Sequence, residues 1–191
     1  MEAKQVSFMI MMGVLGNVLF MISNFLNLGA GISFDLSHIA TYIAGFYGGP
    51  LIGFISGIFV GLMPGIVYGP MGNGALLGLI GLPLGKGLTG LTAGLLASRL
   101  RLGKRKYTYL LLLPSTLVAY IPEVLFTYAY FAYLLPILLG GGGAFLFFAV
   151  IPKALTEITI IAFLMSALRK NSGFNDFVAR FFASSPLKTS S

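Results

Sequence analysis

The sequence predicts an all-α membrane protein, a six-transmembrane-helix bundle with both termini cytoplasmic. Three observations carry that expectation. The 191 residues are 57% hydrophobic and 9% charged, with a mean hydropathy of +0.94, whereas a soluble domain carries roughly 25% charged residues to cover its core. Apolar runs of about 20 residues, the length that crosses a hydrocarbon layer, recur along the whole chain. Lys and Arg gather in those intervals between runs that share one side of the membrane, as the positive-inside rule requires.

The first run, 6–27, follows Met1-Glu2-Ala3-Lys4-Gln5 with no small-residue cleavage site after it, so it reads as a retained helix and not a signal peptide. Further spans are expected at 37–48, 50–69, 75–98, 108–137 and 145–168. The second is short and meets the third at Gly48-Gly49-Pro50, where a glycine pair and a proline reverse the chain. Six crossings bring Lys4, Arg99, Arg101, Lys104, Arg105, Lys106, Arg169, Lys170, Arg180 and Lys188 together, ten of the 12 basic residues. The net charge of +7 is therefore a matter of topology, and it argues against a nucleic-acid surface. On the opposite side the connections 28–36, 70–74 and 138–144 carry Asp35 as their one formal charge, and Gly140-Gly141-Gly142-Gly143 predicts a hinge or plain slack. Residues 1–170 form one transmembrane domain in this reading, and 171–191 a cytoplasmic C-terminal tail. In the tail Phe174, Phe177, Phe181 and Phe182 beside Arg180 predict a short surface helix.

Glycine marks the helix contacts. Gly45, Gly49, Gly53, Gly57, Gly61 and Gly65 recur every fourth residue, and Gly74, Gly78, Gly81, Gly85, Gly90 and Gly94 continue the theme in the fourth span. Such stripes let backbones approach closely where lipid removes the hydrophobic drive between helices. They serve packing within the chain or a partner membrane protein, and spacing alone does not apportion them.

An ionisable group at bilayer depth costs roughly 2.5–3.5 kcal/mol to insert, so each one inside a span is a candidate for function. Lys86, Glu123, Lys153 and Glu157 stand there, two cations and two anions, each near a proline (Pro83, Pro122, Pro152) expected to break its helix. Glu123, Thr127 and Tyr130, with Tyr120 one turn earlier, line one helical face. Lys153 and Glu157 share another. The six side chains and Lys86 make a candidate ligand site; the other reading is a pair of structural ion pairs, Lys86 with Glu123 and Lys153 with Glu157. Asp35 and His38 stand where the first connection meets the second span, Asp35 as a good N-cap and His38 able to face the same pocket. Asn24 and Asn27 could reach a ligand from the outer half of span 1, while Asn17 suits a helix contact.

Other chemistries lack their residues. There is no cysteine and one histidine, so thiolate and His-rich metal sites are excluded and neither a metal nor a cofactor is expected. No HExxH, GxSxG or P-loop occurs, and Asp35 and Asp176 are the only aspartates, neither at mid-span, so no enzyme is expected. A small-molecule binding subunit remains, or a stand-alone secondary transporter, or, more remotely, a small membrane enzyme or scaffold.

Several stretches taken together carry a resemblance over nearly the whole chain. They are Phe34-Asp35-Leu36-Ser37, then Ala44-Gly45-Phe46-Tyr47-Gly48-Gly49-Pro50-Leu51-Ile52-Gly53, a glycine-rich fourth helix ending in basic residues, and a sixth helix with Pro152 and Glu157 before Arg169-Lys170. The pattern resembles the substrate-binding S components of energy-coupling factor (ECF) vitamin transporters. That resemblance implies a multi-pass plasma-membrane subunit of an ABC importer with a vitamin-sized pocket in its outer half. It would have no energy source of its own and would rely on a membrane coupling protein with two ATPases. Such subunits commonly dock through a small-residue AxxxA motif in helix 1. Here that region reads Met9-Ile10-Met11-Met12-Gly13-Val14-Leu15-Gly16-Asn17, which leaves Gly13 and Gly16, with Gly53, Gly57 and Gly61, as the expected docking residues. A heterocycle with donor groups, such as thiamine, riboflavin or a pyridoxine-like compound, suits the acids and tyrosines.

Overall fold

The structure, a computed structural model, describes residues 2–25, 34–71, 75–102, 107–139 and 144–182. Asn27, Gly74, the glycine run 140–143, Lys104, Arg105, Lys106 and Lys188, all invoked above, lie outside the described residues. Among the described residues the chain is entirely helical: α1 (Ala3–Phe25), α2 (His38–Gly48), α3 (Pro50–Val60), α4 (Leu62–Tyr68), α5 (Ala75–Leu100), α6 (Thr108–Ala129), a π-helical turn (Tyr130–Leu134), α7 (Leu135–Leu139), α8 (Ala144–Lys170) and α9 (Ser172–Ala179). Among the described residues five stretches are long and apolar enough to cross a membrane: Ala3–Phe25, Pro50–Tyr68, Leu76–Leu100, Thr108–Leu138 and Val150–Lys170. α2, with 11 residues, is not among them.

The α2–α3 reversal rests on one residue. Gly49 has φ 86° and ψ −176°, a backbone conformation that a side chain would strain, and Pro50 opens α3 where the first turn has no intrahelical use for an N–H. The hairpin then lays its glycines on α5. A Cβ at Gly45 would come within 2.6 Å of the Gly90 carbonyl oxygen and 2.7 Å of the Ala93 Cβ; at Gly53 it would strike the same Gly90 carbonyl, at Gly57 that of Lys86, and at Gly61 the backbone of Pro83. α1 crosses α3 in the same way, Gly13 against Phe59 and Gly16 against Val60. Replacing Gly53 with Val should therefore prevent the α3–α5 approach and sharply lower the midpoint of thermal denaturation in detergent. Gly173→Ala, where the added carbon meets only Asn171 Oδ1 at 3.4 Å, should leave it unchanged.

Asn17 repairs the break between α3 and α4. Its amide donates to the carbonyls of Gly13 (2.8 Å) and Phe59 (2.9 Å), and its Oδ1 accepts from the Met63 N–H at 2.9 Å. This is the helix contact that the sequence suggested for Asn17. The expected proline breaks are absent: α5, α6 and α8 run straight through Pro83, Pro122 and Pro152. A proline forfeits one backbone bond, and an apolar solvent penalises any wider opening, so continuing the helix is the cheaper course. The irregularity falls instead at Tyr130–Leu134, where the helix widens to a π turn.

The surface helix expected in the tail is α9. Asn171 caps it, accepting from the Phe174 N–H at 2.9 Å. Asn175 ties it down: its Oδ1 accepts from the Tyr47 hydroxyl (2.7 Å) and from Arg169 (3.2 Å), and its amide donates to the Arg169 carbonyl (2.9 Å). Phe181 and Phe182 then close on Phe8 of α1, with ring centroids 5.3 and 5.0 Å away. These contacts place Lys4, Arg169, Lys170 and Arg180 at one end of the bundle. The α5 terminus with Arg99 and Arg101 joins them, since Gly94 abuts the Gly49–Pro50 turn.

Candidate functional site

The buried charged residues converge where the segment before α2 meets α2, α5, α6 and α8. Asp35 lies two residues ahead of Ser37, whose N–H and hydroxyl both donate to Asp35 Oδ1, at 3.0 and 2.5 Å. Asp35 is thus not the N-cap of α2 expected from the sequence. Ser37 occupies that position without a side-chain cap, and the Asp35 carboxylate is turned to a charge partner. That partner is Lys86 of α5, whose ammonium sits 2.7 Å from Asp35 Oδ2.

Lys86 also lies 3.1 Å from Nδ1 of His38, and His38 Nε2 lies 3.1 and 3.2 Å from the two oxygens of Glu123 on α6. An ammonium has only donors, so Nδ1 accepts, and Nε2 carries the proton donated to Glu123. The expected Lys86–Glu123 pair is therefore corrected to a relay through His38. One side chain reaches across from α2 because its two ring nitrogens face opposite ways. Thr89, one turn after Lys86, donates its hydroxyl to Glu123 Oε2. The Tyr120 ring meets His38 edge-on at 5.7 Å.

The remaining expected pair is present: Lys153 Nζ is 3.4 Å from Glu157 Oε1. Glu157 joins the rest, because the same oxygen accepts from the Asp35 backbone N–H at 2.9 Å. One continuous chain of contacts thus runs Lys153, Glu157, Asp35, Lys86, His38, Glu123, Thr89. Most of it is tightly enclosed: Lys86 is 1% exposed, Glu157 4%, His38 5% and Glu123 6%, while the Asp35 and Lys153 side chains are partly exposed. Thr41, one turn along α2 from His38, is also buried, and its hydroxyl has no hydrogen-bond partner among the described residues.

Other candidates lie elsewhere. Tyr130, the first residue of the π turn, packs on Gly81 of α5, one turn from Gly85, which meets Glu123; the two side chains therefore share the α6 face toward α5, with Thr127 half-buried between them, but Tyr130 is outside the charged chain. Asn24 faces Tyr68 at 3.5 Å and not the charged chain. Gly13, Gly16, Gly53, Gly57 and Gly61 are all covered by helices of the same chain. Sequence reasoning missed Thr89, although its position three residues after Lys86 places it on the same helical face. An open depression in the described surface lies far from this chemistry, at the basic end beside Tyr47, Arg169, Asn175 and Phe182.

A helical membrane protein that concentrates its intramembrane charge in one enclosed polar site belongs to the class of solute-handling membrane proteins. The chain is a member of the family of ECF transporter substrate-specific components, whose family model matches residues 7–169. It is accordingly a multi-pass plasma-membrane transport subunit that binds substrate and not an enzyme. No curated protein and no solved structure matches the chain.

Proposed function

We propose that the protein captures a vitamin or similar small molecule from outside the cell and delivers it through a membrane coupling protein with ABC ATPases. The observation that carries this reading is the single buried chain of charges joining the segment before α2 to α5, α6 and α8, in a member of a substrate-specific component family. In this reading α2 together with the segment leading into it makes the sixth crossing, both termini are cytoplasmic, and the ligand makes its polar contacts with Glu123, Glu157, Lys86, Lys153, Asp35 and His38, and with Tyr120. Thr127, Tyr130 and Asn24 would line the approach. The five glycines proposed for docking are buried in internal contacts, so a partner would meet the helix surfaces beside them. Reconstituted in liposomes, the chain alone should accumulate no solute, and should do so once coupling protein and ATPases are added with ATP. Uptake by the chain alone would instead establish a self-sufficient secondary transporter.

A further inference from the structure

Between residues 5 and 98 and between 107 and 168 the sequence holds six side chains of Asp, Glu, Lys, Arg or His: Asp35, His38, Lys86, Glu123, Lys153 and Glu157. All six are in the one chain of contacts described above. The intramembrane charge of the protein can therefore be summed without remainder, since every other Asp, Glu, Lys, Arg or His lies at the chain ends or in 99–106.

The sum turns on the contact between Lys86 and His38. At 3.1 Å one of the two nitrogens must accept; Lys86, 2.7 Å from Asp35, keeps its charge and His38 accepts as a neutral ring, so the pair holds one positive charge and not two. Lys153 supplies a second. Against these stand the carboxylates of Asp35, Glu123 and Glu157. Asp35 has Lys86 at 2.7 Å and Glu157 has Lys153 at 3.4 Å. Glu123 has the His38 N–H and the Thr89 hydroxyl, which are hydrogen bonds without a counter-charge of their own. A carboxylate so enclosed, without a full cation, is costly in a medium of low dielectric.

We infer that the ligand is a monocation, a protonated amine or a positively charged heterocycle, whose charge is recognised by Glu123. The ligand takes the donor position that His38 Nε2 holds, and the bound site becomes neutral as a whole. A neutral or anionic ligand would leave the surplus charge in place or double it. This inference rests on the substrate-binding reading and adds the charge class of the substrate.

The test uses the full chain in lipid nanodiscs and matched probes that differ in one group: pyridoxamine against pyridoxine, tryptamine against tryptophol, and the carboxylates 4-pyridoxate and indole-3-acetate, with thiamine as a fixed cation. Affinity is read by equilibrium dialysis, and any compound retained through purification is identified by native mass spectrometry. The expected result is that binding occurs among the cations, with the amine of a bound pair at least about tenfold tighter than its alcohol, the gain of one charge-assisted hydrogen bond. Glu123→Gln should remove that preference while sparing cooperative thermal unfolding, and the amine–alcohol comparison in the unaltered chain needs no variant. Equal or tighter binding of an alcohol or carboxylate, or retention of a neutral or anionic compound, would overturn the monocation assignment and leave the binding reading intact. Binding of no probe and retention of no compound by folded protein would overturn both.

Discussion

Lys86→Met should lower the stability of the folded chain by about 3–5 kcal/mol, the usual cost of stripping one partner from a buried ion pair. The ammonium is 1% exposed and serves Asp35 at 2.7 Å and His38 at 3.1 Å together. Without it Asp35 keeps only the two Ser37 donors, and its backbone still points at the Glu157 carboxylate. Adding Asp35→Asn removes the charge that Lys86 compensates, so the double variant should recover most of the loss. Denaturation by a graded harsh detergent, followed by circular dichroism, measures both. A single variant as stable as the parent would mean that the Lys86–Asp35 contact contributes no net stability.

His38→Leu should lose about 3 kcal/mol, since two hydrogen bonds to charged groups disappear and Lys86 and Glu123 each face an apolar side chain. His38→Gln should restore at least half of that. Its amide oxygen can accept from Lys86 while its nitrogen donates to Glu123, the same polarity order as the neutral imidazole. The same denaturation series separates the two variants. If Gln is no better than Leu, the ring contributes by its shape against Tyr120, and the donor–acceptor order assigned to it is wrong.

Much of the helical layout was legible because lipid imposes simple rules on sequence. Apolar length located α1, α5, α6 and α8, and the Gly48-Gly49-Pro50 signal located the α2–α3 reversal. The Lys153–Glu157 pair followed from i, i+4 spacing within one helix. What the sequence did not reveal was the choice of polar partner across helices. Lys86 and Glu123 were matched by sign, but the histidine between them stands on a different helix and could be placed only by packing. Asp35 has the residue type of a cap, yet a buried ammonium within reach outweighs a backbone N–H. The π turn has no proline or glycine to announce it, and the prolines that predict breaks are absorbed by continuous helices.

The shortness of α2 sets the depth of the site. Its 11 residues rise about 16 Å, roughly half the 30 Å depth of a hydrocarbon layer. Since α2 ends at the basic side, His38 at its start stands near mid-depth, level with Lys86 near the middle of the 26-residue α5. Between the charges and the basic side stand α2 itself and the buried ring of Tyr42, which stacks on Phe46 at 5.7 Å and donates its hydroxyl to the Thr116 carbonyl at 2.9 Å. Toward the basic side the site therefore has a floor, made of a helix and a buried ring. On the proposed reading a solute seated there cannot continue past that floor by diffusion, and reaches the basic side only by a movement that carries the floor away.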